Sequence, residues 1–242
     1  MFGKVFFMKR YISVLIVVAV IGLIITGCTQ KSGTSNSKDA KDTKDIKEIK
    51  DTREAEGLVL DTTVFYRKAE NNLSEIVVKK DGKEKIICEG DNYPAKPSIS
   101  ADKKKLAYIS PYEFEVIGEV FMYNYLKDTN KAIITHKDIP ENLAPKKLSW
   151  FDDRYLLVIM GYAYGTVSMG GDLYVYDTVD DKMALLIEAG DEKGEISDVR
   201  IEQDAVKLDI VVFNDDFTEY EIEESSYGFK EFLDRIKERI GQ

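Results

Sequence analysis

Pro97-Ser98-Ile99-Ser100-Ala101-Asp102-Lys103-Lys104-Lys105-Leu106-Ala107-Tyr108-Ile109 is the stretch whose reading decides the fold. A small polar turn centred on Asp102 feeds a run of apolar residues, and a second apolar run, Val120-Phe121-Met122-Tyr123, follows it. About 50 residues later the same order returns as Lys147-Leu148-Ser149-Trp150-Phe151-Asp152-Asp153-Arg154-Tyr155-Leu156-Leu157-Val158, and then Leu173-Tyr174-Val175-Tyr176. A fainter copy runs from Val199 through Gln203-Asp204 to Ile210. Recurrence of a turn and short strands at this period is how the blades of a β-propeller read.

Outward from this repeat, strand-like runs fall at 59–67, 74–79, 83–88, 105–110, 120–125, 131–135, 155–160, 173–177, 183–187, 206–213 and 218–222. Asp81-Gly82, Lys127-Asp128-Thr129-Asn130, Gly170-Gly171 and Asp180-Asp181 punctuate them as turns. Short turns between strands mean antiparallel pairing. Residues 57–242 have room for about four blades of roughly 40–45 residues each, and four is the lower limit for closure. The expected fold is therefore mainly β: antiparallel blade-like sheets forming a small or incomplete propeller. One helix ends it. Phe229, Phe232, Leu233, Ile236 and Ile240 lie on one helical face, with Ser225 or Ser226 as the expected cap.

The repeat resembles that of TolB-type periplasmic proteins, whose blades carry Pro-x-x-Ser-x-Asp-Gly-Lys-x-Leu/Ile-Ala-Phe. Pro97, Ser100, Asp102, Leu106 and Ala107 match; Lys103 stands where the pattern has glycine, and Tyr108 is the aromatic. The resemblance implies blade structure and no particular chemistry.

The N-terminus predicts location. Residues 1–27 place Lys4, Lys9 and Arg10 ahead of an apolar run from Ile12 to Ile25, as in a secretory leader, and Met8 offers a second start. The run is short for a membrane span. Ile25-Thr26-Gly27-Cys28 resembles a bacterial lipobox. That resemblance implies diacylglyceryl (palmitate-class) lipidation of Cys28 and anchoring on the outer face of the cytoplasmic membrane. Residues 28–56 alternate bases and acids with almost no apolar side chain, so they read as a disordered tether. Leader, spacer and β domain together resemble an uncharacterised Gram-positive lipoprotein family with a domain of unknown function.

The chain holds 34 Lys+Arg, 44 Asp+Glu and one His, with a net charge of −10. Residues 57–242 alone carry −13. This balance argues against nucleic acid and against a domain lying on an anionic membrane. One His and two Cys leave no zinc or disulfide framework, and neither a metal nor a cofactor is expected. His136 lies on a polar turn with no nucleophile elbow to serve. Asp152-Asp153, Asp180-Asp181 and Asp215-Asp216 read as turns. Cys88 reads as a small buried hydrophobe and Trp150 as a core anchor.

The least routine segment is Gly161-Tyr162-Ala163-Tyr164-Gly165-Thr166-Val167-Ser168-Met169-Gly170-Gly171. Flexible backbone with amphipathic side chains suits a recognition loop, with Tyr162, Tyr164 and Met169 as contact residues. The expected function is a non-catalytic, lipid-anchored binding module of the cell envelope, whose partner is an envelope protein or a small molecule. A carboxylate-dependent hydrolase of envelope polymers and a solute-binding receptor are the alternatives.

Overall fold

The computed structural model describes residues 62–69, 71–165, 167–190 and 193–241. The leader, Cys28, the tether and the first residues of the strand expected at 59–67 lie outside them.

Four antiparallel sheets follow one another in chain order. Sheet 1 holds β1 (Thr62–Lys68), β2 (Ser74–Lys80) and β3 (Lys83–Cys88). Sheet 2 holds β4 (Ser98–Ile99), β5 (Lys105–Ser110), β6 (Glu119–Asn124) and β7 (Thr129–Ile134). Sheet 3 holds β8 (Leu143–Trp150), β9 (Tyr155–Tyr162), β10 (Asp172–Asp177) and β11 (Lys182–Ile187). Sheet 4 holds β12 (Gly194–Ile201), β13 (Ala205–Phe213) and β14 (Tyr220–Gly228), and α1 (Phe229–Gly241) follows directly. Within each sheet every strand pairs with its neighbours in sequence, and no sheet closes on itself. The fold is mainly β, blade-like and open, with one C-terminal helix, as the repeat implies.

The core explains why β5 and β9 read as unbroken apolar runs. Successive side chains of a strand point to opposite faces. Leu106 and Tyr108 of β5 pack with Ile76, Val78 and Cys88 of sheet 1. Ala107 and Ile109 pack the other way, with Leu156, Val158 and Met160 of β9. Leu157 and Ile159 of β9 face sheet 4, where they meet Ile196, Val206 and Leu208. β5 and β9 are thus covered on both faces and have no polar alternation to show. Each fully buried Leu, Ile or Val contributes about 1.5–3 kcal/mol, so these three interfaces hold the stack.

Two features differ from the sequence reading. Ser225 and Ser226 do not cap a helix: they pair with Leu208 and Lys207 inside β14. The strand expected at 218–222 instead runs to Gly228, and the chain enters α1 at once, its Phe229 amide donating to the Asp204 carbonyl at 3.0 Å. The burial of Phe232, Ile236 and Ile240 against sheets 3 and 4 secures the helix in place of a cap. Gly170-Gly171 is also no hairpin turn, because Gly171 bridges Ile196 of β12.

The antiparallel order sorts the connections into two ends. At one end lie tight turns, polar apart from the exposed Leu126 and Val179. The Asp102 amide donates to Asp153 Oδ1 at 2.7 Å, Lys105 Nζ to Thr178 Oγ1 at 3.2 Å, and Lys85 pairs with Asp128. Asp81, Lys103, Asp128 and Asp181 take positive φ in these turns. Asp102 Oδ1 accepts from the Ser100 hydroxyl and the Lys104 amide, and Asp152 Oδ1 from the amides of Arg154 and Tyr155, so the two repeat copies close in the same way. At the opposite end lie the longer loops 111–118 and 163–171, together with the crossings from one sheet to the next.

Candidate binding surface

The loop end gathers exposed aromatic side chains from four connections, one of them the β13–β14 turn with Phe217 at 44% exposure. Crossing 89–97 carries Tyr93, 40% exposed; loop 111–118 carries Tyr112 at 50% and Phe114 at 65%. Tyr162, the last residue of β9, is 53% exposed and Tyr164 is 40% exposed, with Val167 and Met169 beyond them.

Hydrogen bonds join the other three connections. The Tyr112 amide donates to the Tyr93 carbonyl at 2.7 Å, and the Tyr112 hydroxyl to the Lys146 carbonyl at 3.2 Å. The Gly165 amide donates to Glu115 Oε1 at 3.4 Å. The Tyr162 and Tyr164 rings meet edge to face with centroids 5.8 Å apart. Crossing 89–97, loop 111–118 and Gly165 are therefore joined by hydrogen bonds, and their exposed aromatic residues lie at one end of the sheets.

The base of loop 163–171 is pinned. Glu195 Oε2 accepts from the amides of Met169 and Gly170 at 2.7 and 2.9 Å, and Gly171 and Ile196 exchange both backbone bonds. A Cβ on Gly161 would collide with the Gly170 carbonyl, and one on Gly170 with the Ile196 carbonyl. These glycines serve close backbone approach, which corrects their reading as sources of flexibility. Gly165, at φ +84° with open space around it, is the one that suits a hinge.

The other candidate residues have structural partners. His136 brackets a loop: its Nδ1 faces Glu119 Oε1 at 2.8 Å and its Nε2 the Ile117 carbonyl at 2.9 Å. The histidine's hydrogen bonds hold the Glu119 carboxyl below the usual range. Cys88 is buried near Ser110, and burial pushes its thiol pKa up, away from the reactive thiolate. Trp150 is buried between sheets 2 and 3 and donates its indole N–H to the Ser98 carbonyl. Asp180 joins the fully buried Asp177 around the Arg154 guanidinium, Asp181 accepts from the Tyr176 hydroxyl, and Asp215 pairs with Lys193. Burial raises the Asp177 carboxyl, but the Arg154 fork and the amides of Val179 and Asp180 outweigh it, and the net shift is downward. Among the described residues no group of three or more His, Cys, Asp or Glu could hold a metal ion.

Sequence reasoning singled out Tyr162, Tyr164 and Met169 but missed Tyr93, Tyr112 and Phe114. The available signal was Pro111-Tyr112-Glu113-Phe114-Glu115, an aromatic–acid alternation outside any strand run.

Residues 27–227 match a family described as a domain of unknown function (DUF4652), and the chain belongs to that family. No curated protein matches the chain. Among solved structures, it is similar to a candidate conserved lipoprotein of Clostridium novyi NT. That likeness has 26% identity and a TM-score of 0.51, and covers 56% of this chain and 86% of that one. It also resembles the β-propeller domain of the Trilobed protease of Pyrococcus furiosus, at 18% identity and a TM-score of 0.43, over 69% of this chain and 50% of that one. A candidate TolB of Agrobacterium tumefaciens is similar at 11% identity and a TM-score of 0.43, over 69% of this chain and 62% of that one. The chain thus spans most of the length of the first and half or somewhat more of the other two.

Proposed function

We propose that this member of a family without assigned function is a lipid-anchored extracytoplasmic binding module. In this reading Cys28 carries the lipid, residues 29–56 hold the blade-like domain away from the membrane, and the aromatic loop end meets a partner in the cell envelope. The observation that carries it is the convergence of Tyr93, Tyr112, Phe114, Tyr162 and Tyr164, all exposed, at one end of the sheets. Large exposed aromatics gathered at one end of a fold mark interaction surfaces. The acid pairs that a hydrolase would need are engaged in turns and ion pairs at the polar end and at Lys193. The lipid anchor rests on the Ile25-Thr26-Gly27-Cys28 motif and is supported by the similarity to a candidate lipoprotein.

The test is in-cell crosslinking of C-terminally tagged protein, with radiolabelled palmitate feeding in parallel. Label on the wild type but not on Cys28→Ala, and a recurrent crosslinked protein lost in Cys28→Ala, are expected. Unlabelled wild-type protein would remove the anchor; absence of any recurrent protein would remove the binding role.

A further inference from the structure

Sheets 2 and 3 each have four strands, whereas sheet 4 stops at β14. Among the described residues β14 pairs only with β13, in an unbroken register of nine residues from Phe213↔Tyr220 to Ala205↔Gly228. Its outer edge therefore offers a row of backbone donors and acceptors with no strand partner among the described residues. Proteins usually blunt such edges with proline, bulges, charged side chains or short length. Tyr220-Glu221-Ile222-Glu223-Glu224-Ser225-Ser226-Tyr227-Gly228 has no proline or bulge, and its only charges, Glu221, Glu223 and Glu224, are acidic, so they guard it against acidic strands and not against basic ones. α1 packs its apolar stripe into the core shared by sheets 3 and 4 and does not supply a fourth strand.

The side chains say what kind of strand fits. Glu221 and Glu223 share one face, are exposed, and make no hydrogen bond or ion pair among the described residues. Tyr220 and Ile222 share the other face at 51% and 63% exposure. Glu224, on that face, is already tied to Arg200 and Lys207. A second copy of β14 would set these glutamates against each other, and like charges opposed across strands destabilise. An incoming strand with bases on one face and apolar residues on the other matches both rows.

We infer that the free edge of β14 is a strand-addition site for an extended segment of a partner protein that alternates lysine or arginine with apolar residues. Backbone pairing would provide affinity and the alternate side chains the selection. The site lies on sheet 4, away from the loops 111–118 and 163–171 of sheets 2 and 3, and stands or falls without them.

The probes are two synthetic peptides, Lys-Val-Lys-Val-Lys-Val-Lys-Val-Lys and its glutamate counterpart, added to the full chain in detergent. Hydrogen exchange and fluorescence anisotropy read the binding. We expect the lysine peptide to slow amide exchange within β14, and a version with two central prolines to have no effect. Because Glu221 and Glu223 are exposed and unpaired, Glu221→Lys/Glu223→Lys folds normally and reverses the preference toward the glutamate peptide by several-fold. Protection confined to other strands, a preference unchanged by the charge swap, or binding of neither peptide would overturn the site.

Discussion

The Tyr112 amide donates to the Tyr93 carbonyl at 2.7 Å, so a loop inside sheet 2 is tied to the crossing that enters that sheet. Through this bond the backbones of two exposed tyrosines 19 residues apart are held together at the loop end. Glu115 extends the link to Gly165 and hence to Tyr162 and Tyr164. The binding role rests on this surface, and the stability of the scaffold rests on other residues. The two can be separated by substitution.

Loop glycines provide the first separation. Gly161→Ala drives a methyl into the Gly170 carbonyl and should cost about 3 kcal/mol, at the upper end of overpacking penalties. Gly165→Ala meets open space and has only its positive φ to overcome, about 1 kcal/mol. Chemical denaturation of both variants checks the ranking. Equal costs would mean that the loop base is not pinned by close backbone approach.

Lys103 occupies the position of the repeat glycine at φ +55°. Left-handed backbone costs an ordinary residue roughly 1–2 kcal/mol. Lys103→Gly should gain about 1 kcal/mol, raising the melting temperature by about 2–4 °C in a domain of this size. A fall on calorimetry would show that the lysine side chain contributes more than the strain removes.

Tyr125 is 2% exposed and its hydroxyl has no hydrogen-bond partner among the described residues. Its neighbour Tyr123 donates to Asp128 at 2.6 Å. Tyr125→Phe should be neutral or stabilising by about 1 kcal/mol, because a buried unpaired hydroxyl carries a desolvation cost. Tyr123→Phe should destabilise. Urea titrations of the two variants should move in opposite directions or differ clearly; equal losses would mean that a hidden partner satisfies Tyr125.

Acid should unfold the domain through its turn carboxylates. For both Asp102 and Asp177, burial raises the pKa, but hydrogen bonds to the ionised form outweigh it and the net shift is downward. The folded pKa then lies below the unfolded one, and between the two the unfolded chain binds more protons. This stabilisation is fully present above the ordinary carboxylate range near about 4 and is lost as pH falls through the folded values. Melting temperature should be flat from about pH 6 to 5 and drop below about pH 4, less steeply in Asp177→Asn. A drop beginning near neutrality would assign the transition to other groups.

Much of the fold was legible in the sequence because β5 and β9 carry unmistakable apolar runs and the Asp102 and Asp152 turns repeat. β8 and β12 escaped the strand reading. Pro145, Lys146 and Lys147 interrupt β8, and β12 carries Glu195, Asp198 and Arg200, so neither shows clean alternation. Both also have register shifts in their pairing. The helix face from Phe229 was visible in its period, whereas its start was not, because a buried stripe rather than a serine cap fixes it. Of the loop end, only the glycine-flanked tyrosines stood out locally. Tyr93 and Tyr112 join them through an antiparallel topology that no local pattern encodes.

The central claim is that the loop end, not the turn end, faces the partner. Photoreactive phenylalanine placed at Tyr164 and, separately, at Asp128 of the turn end tests it in cells, with mass spectrometry of the tagged adducts. We expect a discrete adduct from position 164, abolished by Tyr112→Ser/Tyr162→Ser, and none from position 128. Equal adducts from both ends, or an adduct from position 128 alone, would contradict it.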